Sequence, residues 1–312
     1  MANILPRDRQ IAVIAALTEG VSIRATERLT DTHRDTVMRL GLRVGQGCVR
    51  LHDTLMRNLH VGLLEFDEIW SYVGKKQKRL KPTDPADLGD QYVFTALSAT
   101  HKAIISYLVG KRNWTNTVEF AQDVRDRIVN RPQISSDGFP ACADAIERAF
   151  GADVDYGQII KVFDGEPGPN AARRYSPGWV VNVRKTSVAG RPHRSEISTS
   201  YVERSNLTIR MQARRFTRLT NGFSKKLGNH EAAVALFVAH YNLCRWHETL
   251  RSTPAMALGV TDHIWTIGEL IDAAEAADGP ELGAPAPVAP LAPMSPAVPQ
   301  RPQFAVIQGG RA

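Results

Sequence analysis

The chain has 312 residues, 43% of them hydrophobic, and 39 lysines and arginines against 32 aspartates and glutamates give it a net charge of +7. That length allows two domains and a generous core, and the basic balance favours a polyanionic partner, nucleic acid first. Cys48, Cys142 and Cys244 lie far apart without a CxxC pair, which argues against a zinc finger and a disulfide framework; no run reaches the ~18 apolar residues of a membrane span, the start lacks the pattern of a signal peptide, and a reducing cytosol with no membrane partner is expected.

Residues 6 to about 57 read as helices. Pro6 suits a first helical turn, and Ile11, Ile14, Ala15 and Leu17 make an apolar stripe that Gly20 ends. Ser22 can cap a short helix from Ile23 to Leu29. Thr32, with Asp35 three residues later, is a capping-box-like start to a third helix through Val37 and Leu40. Short helix, tight turn and longer helix is the helix-turn-helix pattern, in which the start of the later helix enters the major groove. Here that start offers His33 and Arg34, with Arg39 one turn on, so an all-α DNA-binding domain is expected over 1–57.

The period then changes. Strands are expected from Val61 to Val73, Gln91 to Ala99 and Ala103 to Val109, with a hairpin turn at Thr100–Lys102. A helix capped by Thr115 or Asn116 carries the stripe Val118, Ala121, Val124 and Ile128, closed by Pro132. A short strand from Gln133 to Ser136, a helix from Phe139 to Phe150 and a strand from Tyr156 to Phe163 follow, an α/β order. Residues 164–199 read as a basic insertion in which Trp179 to Val183 makes a strand. Helix resumes near Thr199, and a last long helix runs from Asn229 to about Trp246. A helical segment is expected over 251–278. Beyond Gly279, where eight of the 18 prolines fall, the tail should be disordered.

Three carboxylates stand in settings that ask for a cation. Asp67 interrupts an apolar strand, where an unpaired charge is costly. Strand alternation puts Glu65 on its face, as a minor contributor, and Glu68 on the opposite face, so that only one of Asp67 and Glu68 joins a site by this route. Asp137 ends a strand before Gly138, at the sheet edge where α/β proteins build sites, although it can equally cap the next helix. Glu203 lies on a helix whose buried stripe is Val202, Ile209, Ala213 and Phe216, with Asn206, Arg210 and Arg214 along the adjoining face. From Arg204 to Lys226 there are seven basic residues, Arg215 and Arg218 among them, and no acidic one, a surface suited to phosphates.

With these residues in place, the chain resembles the insertion-sequence-one (InsAB-type) family of DDE transposases. The resemblance rests on Glu65-Phe66-Asp67-Glu68-Ile69-Trp70-Ser71-Tyr72-Val73-Gly74, on Asp137-Gly138-Phe139-Pro140, and on Tyr201-Val202-Glu203-Arg204-Ser205-Asn206-Leu207-Thr208-Ile209-Arg210. It continues through Arg214-Arg215-Phe216-Thr217-Arg218 and His240-Tyr241-Asn242. It implies a ribonuclease-H-like catalytic domain over 61–250 behind the helix-turn-helix domain. It also implies Asp67, Asp137 and Glu203 as catalytic residues and ligands of Mg2+, for which Mn2+ substitutes. The implied partners are double-stranded DNA, as terminal inverted repeats and target, and further copies of the chain in a synaptic complex at the nucleoid. The zinc finger that members often carry has no cysteine set here. A ribonuclease-H-like nuclease that cleaves without joining, and a regulator using only the helix-turn-helix, are the other readings.

Overall fold

A computed structural model of the chain describes residues 4–163, 179–217 and 220–277. It opens with α1 (Arg7–Thr18), α2 (Ile23–Thr30) and α3 (Arg34–Leu55). Ser22 caps α2 as expected, its hydroxyl accepting from the Ala25 N–H. The cap of α3 is His33 rather than Thr32: His33 Nδ1 accepts from the Asp35 N–H, while the buried Thr32 donates its hydroxyl to the Thr30 carbonyl and is spent inside the turn. Asp31, at φ 48°, makes the left-handed step between the two helices.

Among the described residues six strands form one mixed sheet: β1 (Leu63–Val73), β2 (Gly89–Ser98), β3 (Ile104–Gly110), β4 (Gln133–Ser136), β5 (Asp155–Phe163) and β6 (Val180–Ala189), in the order β3-β2-β1-β4-β5-β6. β2 runs antiparallel to β1 and β3, β4 runs parallel to β1 and β5, and β6 returns antiparallel to β5. β6 is longer than the strand expected at Trp179–Val183; the remainder of the insertion, 164–178, lies outside the described residues, as does the tail.

Helices α4 (Trp114–Arg127) and α5 (Pro140–Phe150) cover one face of the sheet, where Phe66, Phe94, Phe120, Ile134 and Ile146 share a buried cluster. Asn113, not Thr115 or Asn116, caps α4 by accepting from the Asn116 N–H at 2.9 Å. The other face carries α6 (Ser200–Gln212) and α7 (Leu227–Ala239), packed through Ile69, Val93, Val202, Ile209 and Phe237. Two of the expected helices are interrupted. Ala213 turns extended, so α6 stops at Gln212 and Arg214–Phe216 is a separate 3-10 turn. α7 ends in a π-turn, His240–Cys244, instead of running on to Trp246.

The N-terminal helices do not bury their stripe among themselves. Val13, Ile14, Val37, Leu40, Val44 and Leu51 share one cluster with Leu236 of α7, Leu243 of the turn after it, Ala255 of α8 (Pro254–Ala257), and Leu270 and Ile271 of α9 (Ile267–Ala276). Glycines let the backbones close up: a Cβ on Gly45 would stand 2.2 Å from the Ala232 carbonyl oxygen, and one on Gly47 2.1 Å from that of Ala274. Gly45→Ala should therefore push α3 off α7 and cost about 2–3 kcal/mol, the scale of an overpacked core, read as a lowered denaturation midpoint. Among the described residues no helix is long and apolar enough to cross a membrane.

Candidate active site

The site is a notch made by unequal strand lengths. β4 pairs with β1 only from Leu63↔Gln133 to Glu65↔Ser135 and ends at Ser136, whereas its neighbours β1 and β5 run on. Beyond that point the two long strands flank a cleft of about 510 Å³. Asp67 on β1, Asp137 just past β4 and Glu203 in the first turn of α6 all line it, with Arg112, Lys161 and Thr199. The three carboxylates named from separate words of the sequence thus meet in one place.

Glu68 joins them, against expectation. Alternation itself holds: Asp67 turns to α6, where Asn206 Nδ2 donates to its Oδ2 at 2.7 Å, and Glu68 turns to α5, 3.9 Å from Cys142 Sγ. At the open edge past β4, however, both faces reach the same spot. One oxygen each from Asp67, Glu68 and Asp137 lie within 4.8 Å of one another. Glu203 stands at the rim, its Oε1 accepting from Thr199 Oγ1 at 2.6 Å and from Lys161 Nζ.

Glu65 has a different task from the one expected. It is 3% exposed, and its Oε2 accepts from the N–H groups of Tyr201 and Val202, both at 2.8 Å. It therefore satisfies the free amides at the start of α6, two residues before Glu203. Burial nonetheless holds its pKa above the usual carboxylate value. Asp137 also does double duty, since its Oδ1 accepts from the Phe139 N–H ahead of α5.

Crowding of negative charge in a desolvated notch sets the electrostatics. Burial pushes the Asp67 pKa up to about 6; the charges of Asp137 and Glu203 add to this, and hydrogen bonds from the Glu68 backbone and Asn206 oppose it. Burial likewise lifts Glu68 to about 7, with Asp137 and Asp67 adding and Arg112 opposing. Arg112, which no motif marked, sits 3.1 Å from Glu68 Oε2 and 3.7 Å from Asp137 Oδ2, with its guanidinium 3.8 Å over the Phe139 ring. It answers only part of the acidic charge. Clustered hard oxygens at the mouth of an open cleft are the donor set that suits Mg2+ or Mn2+. Asp67, Glu68 and Asp137 fit such an ion, with Glu203 lining the same cleft at its rim.

The expected DNA-facing residues divide. His33, Arg34 and Arg39 are exposed at the start of α3. Arg214 is exposed but lies in the 3-10 turn, off the helix that carries Glu203. Arg210 is half-buried. Arg215 points inward to Ser224 Oγ at 3.0 Å, and burial lowers its pKa. Asn206 is 5% exposed and stands behind Asp67, which removes it from the surface; its Oδ1 has no partner among the described residues. Arg218 lies outside the described residues.

No protein-family model and no curated protein matches the chain. Among solved structures it is similar to a piggyBac transposase in a synaptic complex with hairpin DNA, at 12% identity and a TM-score of 0.36, over 89% of this chain and 73% of that one. It is also similar to a Mos1 transposase in a pre-cleavage transpososome, at 11% identity and a TM-score of 0.23, over 77% of this chain and 80% of that one. A third likeness is to Mos1 transposase paired with its left transposon end, at 15% identity and a TM-score of 0.18, over 47% of this chain and 58% of that one.

Proposed function

We propose that the chain is a DDE-type transposase that cuts DNA at the ends of an element and joins them to a target with the aid of Mg2+. The observation that carries this reading is the convergence of Asp67, Asp137 and Glu203 on one cleft, with Asp67 and Asp137 close enough to share one metal ion. The sheet order β3-β2-β1-β4-β5, with its first three strands antiparallel and β4 and β5 parallel to β1, supports the ribonuclease-H-like catalytic fold that the sequence resemblance implies.

Asp67, Glu68 and Asp137 would hold a divalent ion, whose chemistry there would be to lower the pKa of an attacking water or 3′-hydroxyl and to neutralise charge on the phosphate. The protein's own part is placement. Asn206 fixes the Asp67 carboxylate through its amide. Glu65 anchors the α6 terminus and with it Glu203. Arg112 holds Glu68 and Asp137 on the same side of the notch and keeps their repulsion in check. A purely DNA-binding regulator has no use for half-buried, mutually repelling carboxylates of this kind.

We assign end recognition to the start of α3, with His33, Arg34 and Arg39 toward DNA and the chain acting as a homo-oligomer on paired ends. Arg34→Ala with Arg39→Ala should flatten the log–log salt dependence of DNA binding by roughly two units if each contacts one phosphate, at a slope of about −0.9 per contact. If instead they read base edges, the salt slope stays and preference for element ends collapses. Joining separates the proposed activity from its nearest rival. A labelled duplex copied from DNA flanking the reading frame, with a free 3′-hydroxyl, is incubated with plasmid, Mg2+ and the full chain. Covalent transfer of label to plasmid is the expected result. Cleavage without transfer would make the protein a ribonuclease-H-like nuclease.

A further inference from the structure

Glu203 is the carboxylate outside the tight cluster, and a cation already occupies it. Lys161 projects from β5, the far wall of the notch, and its Nζ donates to Glu203 Oε1, the same oxygen that accepts from the Thr199 hydroxyl. The lysine side chain is 29% exposed and the glutamate 45%, so the pair is neither sealed in the core nor loose in solvent. Both residues line the cleft that Asp67 and Asp137 share.

Resting on the metal-site reading above, we propose that Lys161 is an internal stand-in for the divalent cation at Glu203. It holds the carboxylate at the rim while the cleft is empty and must let go before Glu203 can become a ligand. A half-exposed ion pair is weak, and a divalent ion that also gains Asp67 and Asp137 outcompetes it. The lysine therefore sets how much metal is needed to assemble the site and does not block it. Once displaced, its ammonium stays on the cleft wall beside the position a phosphate would take, so one movement exchanges an internal salt bridge for a contact to substrate.

Mn2+ binding by the full chain without DNA, followed by isothermal titration calorimetry, tests this apart from activity. Lys161→Met should bind Mn2+ on the order of fivefold tighter than the parent, the scale of a part-exposed pair removed. That gain should vanish when Glu203→Gln is already present. Lys161→Gln serves as the second variant where methionine lowers the thermal midpoint, and the same gain is expected from it. Unchanged affinity in both lysine variants, beside normal binding by the parent, overturns the stand-in role and leaves the metal site intact. An equal gain in the Glu203→Gln background overturns it too, because Lys161 would then act only as a nearby charge. No Mn2+ binding by the parent overturns the metal-site reading and the stand-in role together.

Discussion

Asp67→Asn should stabilise the metal-free protein at pH 8 and cripple Mg2+-dependent cleavage. The group's pKa stands at about 6 against an ordinary value of 3.8, a rise equivalent to roughly 3 kcal/mol. The sign follows from which state holds the proton. Below pH 3.8 the carboxyl is protonated whether folded or unfolded, and it costs nothing. Between 3.8 and about 6 the unfolded chain releases the proton while the folded one keeps it, so stability falls as pH rises, and the full cost stands above about 6. Asparagine cannot ionise, yet its Oδ1 still accepts from Asn206 Nδ2. The variant should melt about 5–10 °C above the parent at pH 8, with the gap closing toward pH 4. Added Mg2+ should stabilise the parent and leave the variant unmoved. Cleavage should drop on the order of 10³-fold, the scale for losing a charge-stabilising group at a reacting phosphate. A variant less stable than the parent at pH 8, or one that cleaves at close to the parent's rate, would show that Asp67 is a satisfied structural carboxylate.

Glu65→Leu should damage the site from behind. It removes the acceptor of the Tyr201 and Val202 amides, and each buried donor left unpaired costs about 1–3 kcal/mol. Relief of the glutamate's own burial offsets part of this, so a net loss of about 2–4 kcal/mol is expected. The start of α6 should fray, and Glu203, in its first turn, should lose its place, so cleavage falls about a hundredfold beyond what the lost stability explains. Glu65→Gln keeps a carbonyl oxygen for the two amides and should retain most of both. Urea unfolding and cleavage rates on the two variants check the pair of claims. Equal damage from leucine and glutamine would mean that the charge, and not the cap, matters.

What could be read from sequence was whatever local chemistry determines. Asp67 was legible because a carboxylate inside an apolar strand needs a reason, and Asp137 because a strand ending in Asp-Gly marks a sheet edge. Alternation correctly set Glu65 and Asp67 on one face and Glu68 on the other. It failed for the site because Glu68 reaches Asp137 only where β4 stops short of β1, and relative strand length is a tertiary fact. The same limit hid the cap made by Glu65, since where α6 lands is not written in β1. It also hid the burial of Asn206, which helical spacing had placed beside exposed arginines. Arg112 carried no local signal. Ile14 of α1 and Val37 and Leu40 of α3 were legible as core, Val13 was not, and their partners Leu236, Leu270 and Ile271 lie some 200 residues on. Caps slipped by one to three residues, at His33 and Asn113, because neighbouring hydroxyls and amides compete for the same turn.

Crystals of the protein grown or soaked with Mn2+, with data collected at the manganese absorption edge, put the central claim to its most direct test. The strongest anomalous peak should fall in the notch beyond β4, touching carboxylate oxygens of Asp67 and Asp137, and should disappear in Asp137→Asn. An empty notch at saturating Mn2+, or a peak that touches neither Asp67 nor Asp137, would contradict a metal-dependent site built from these carboxylates.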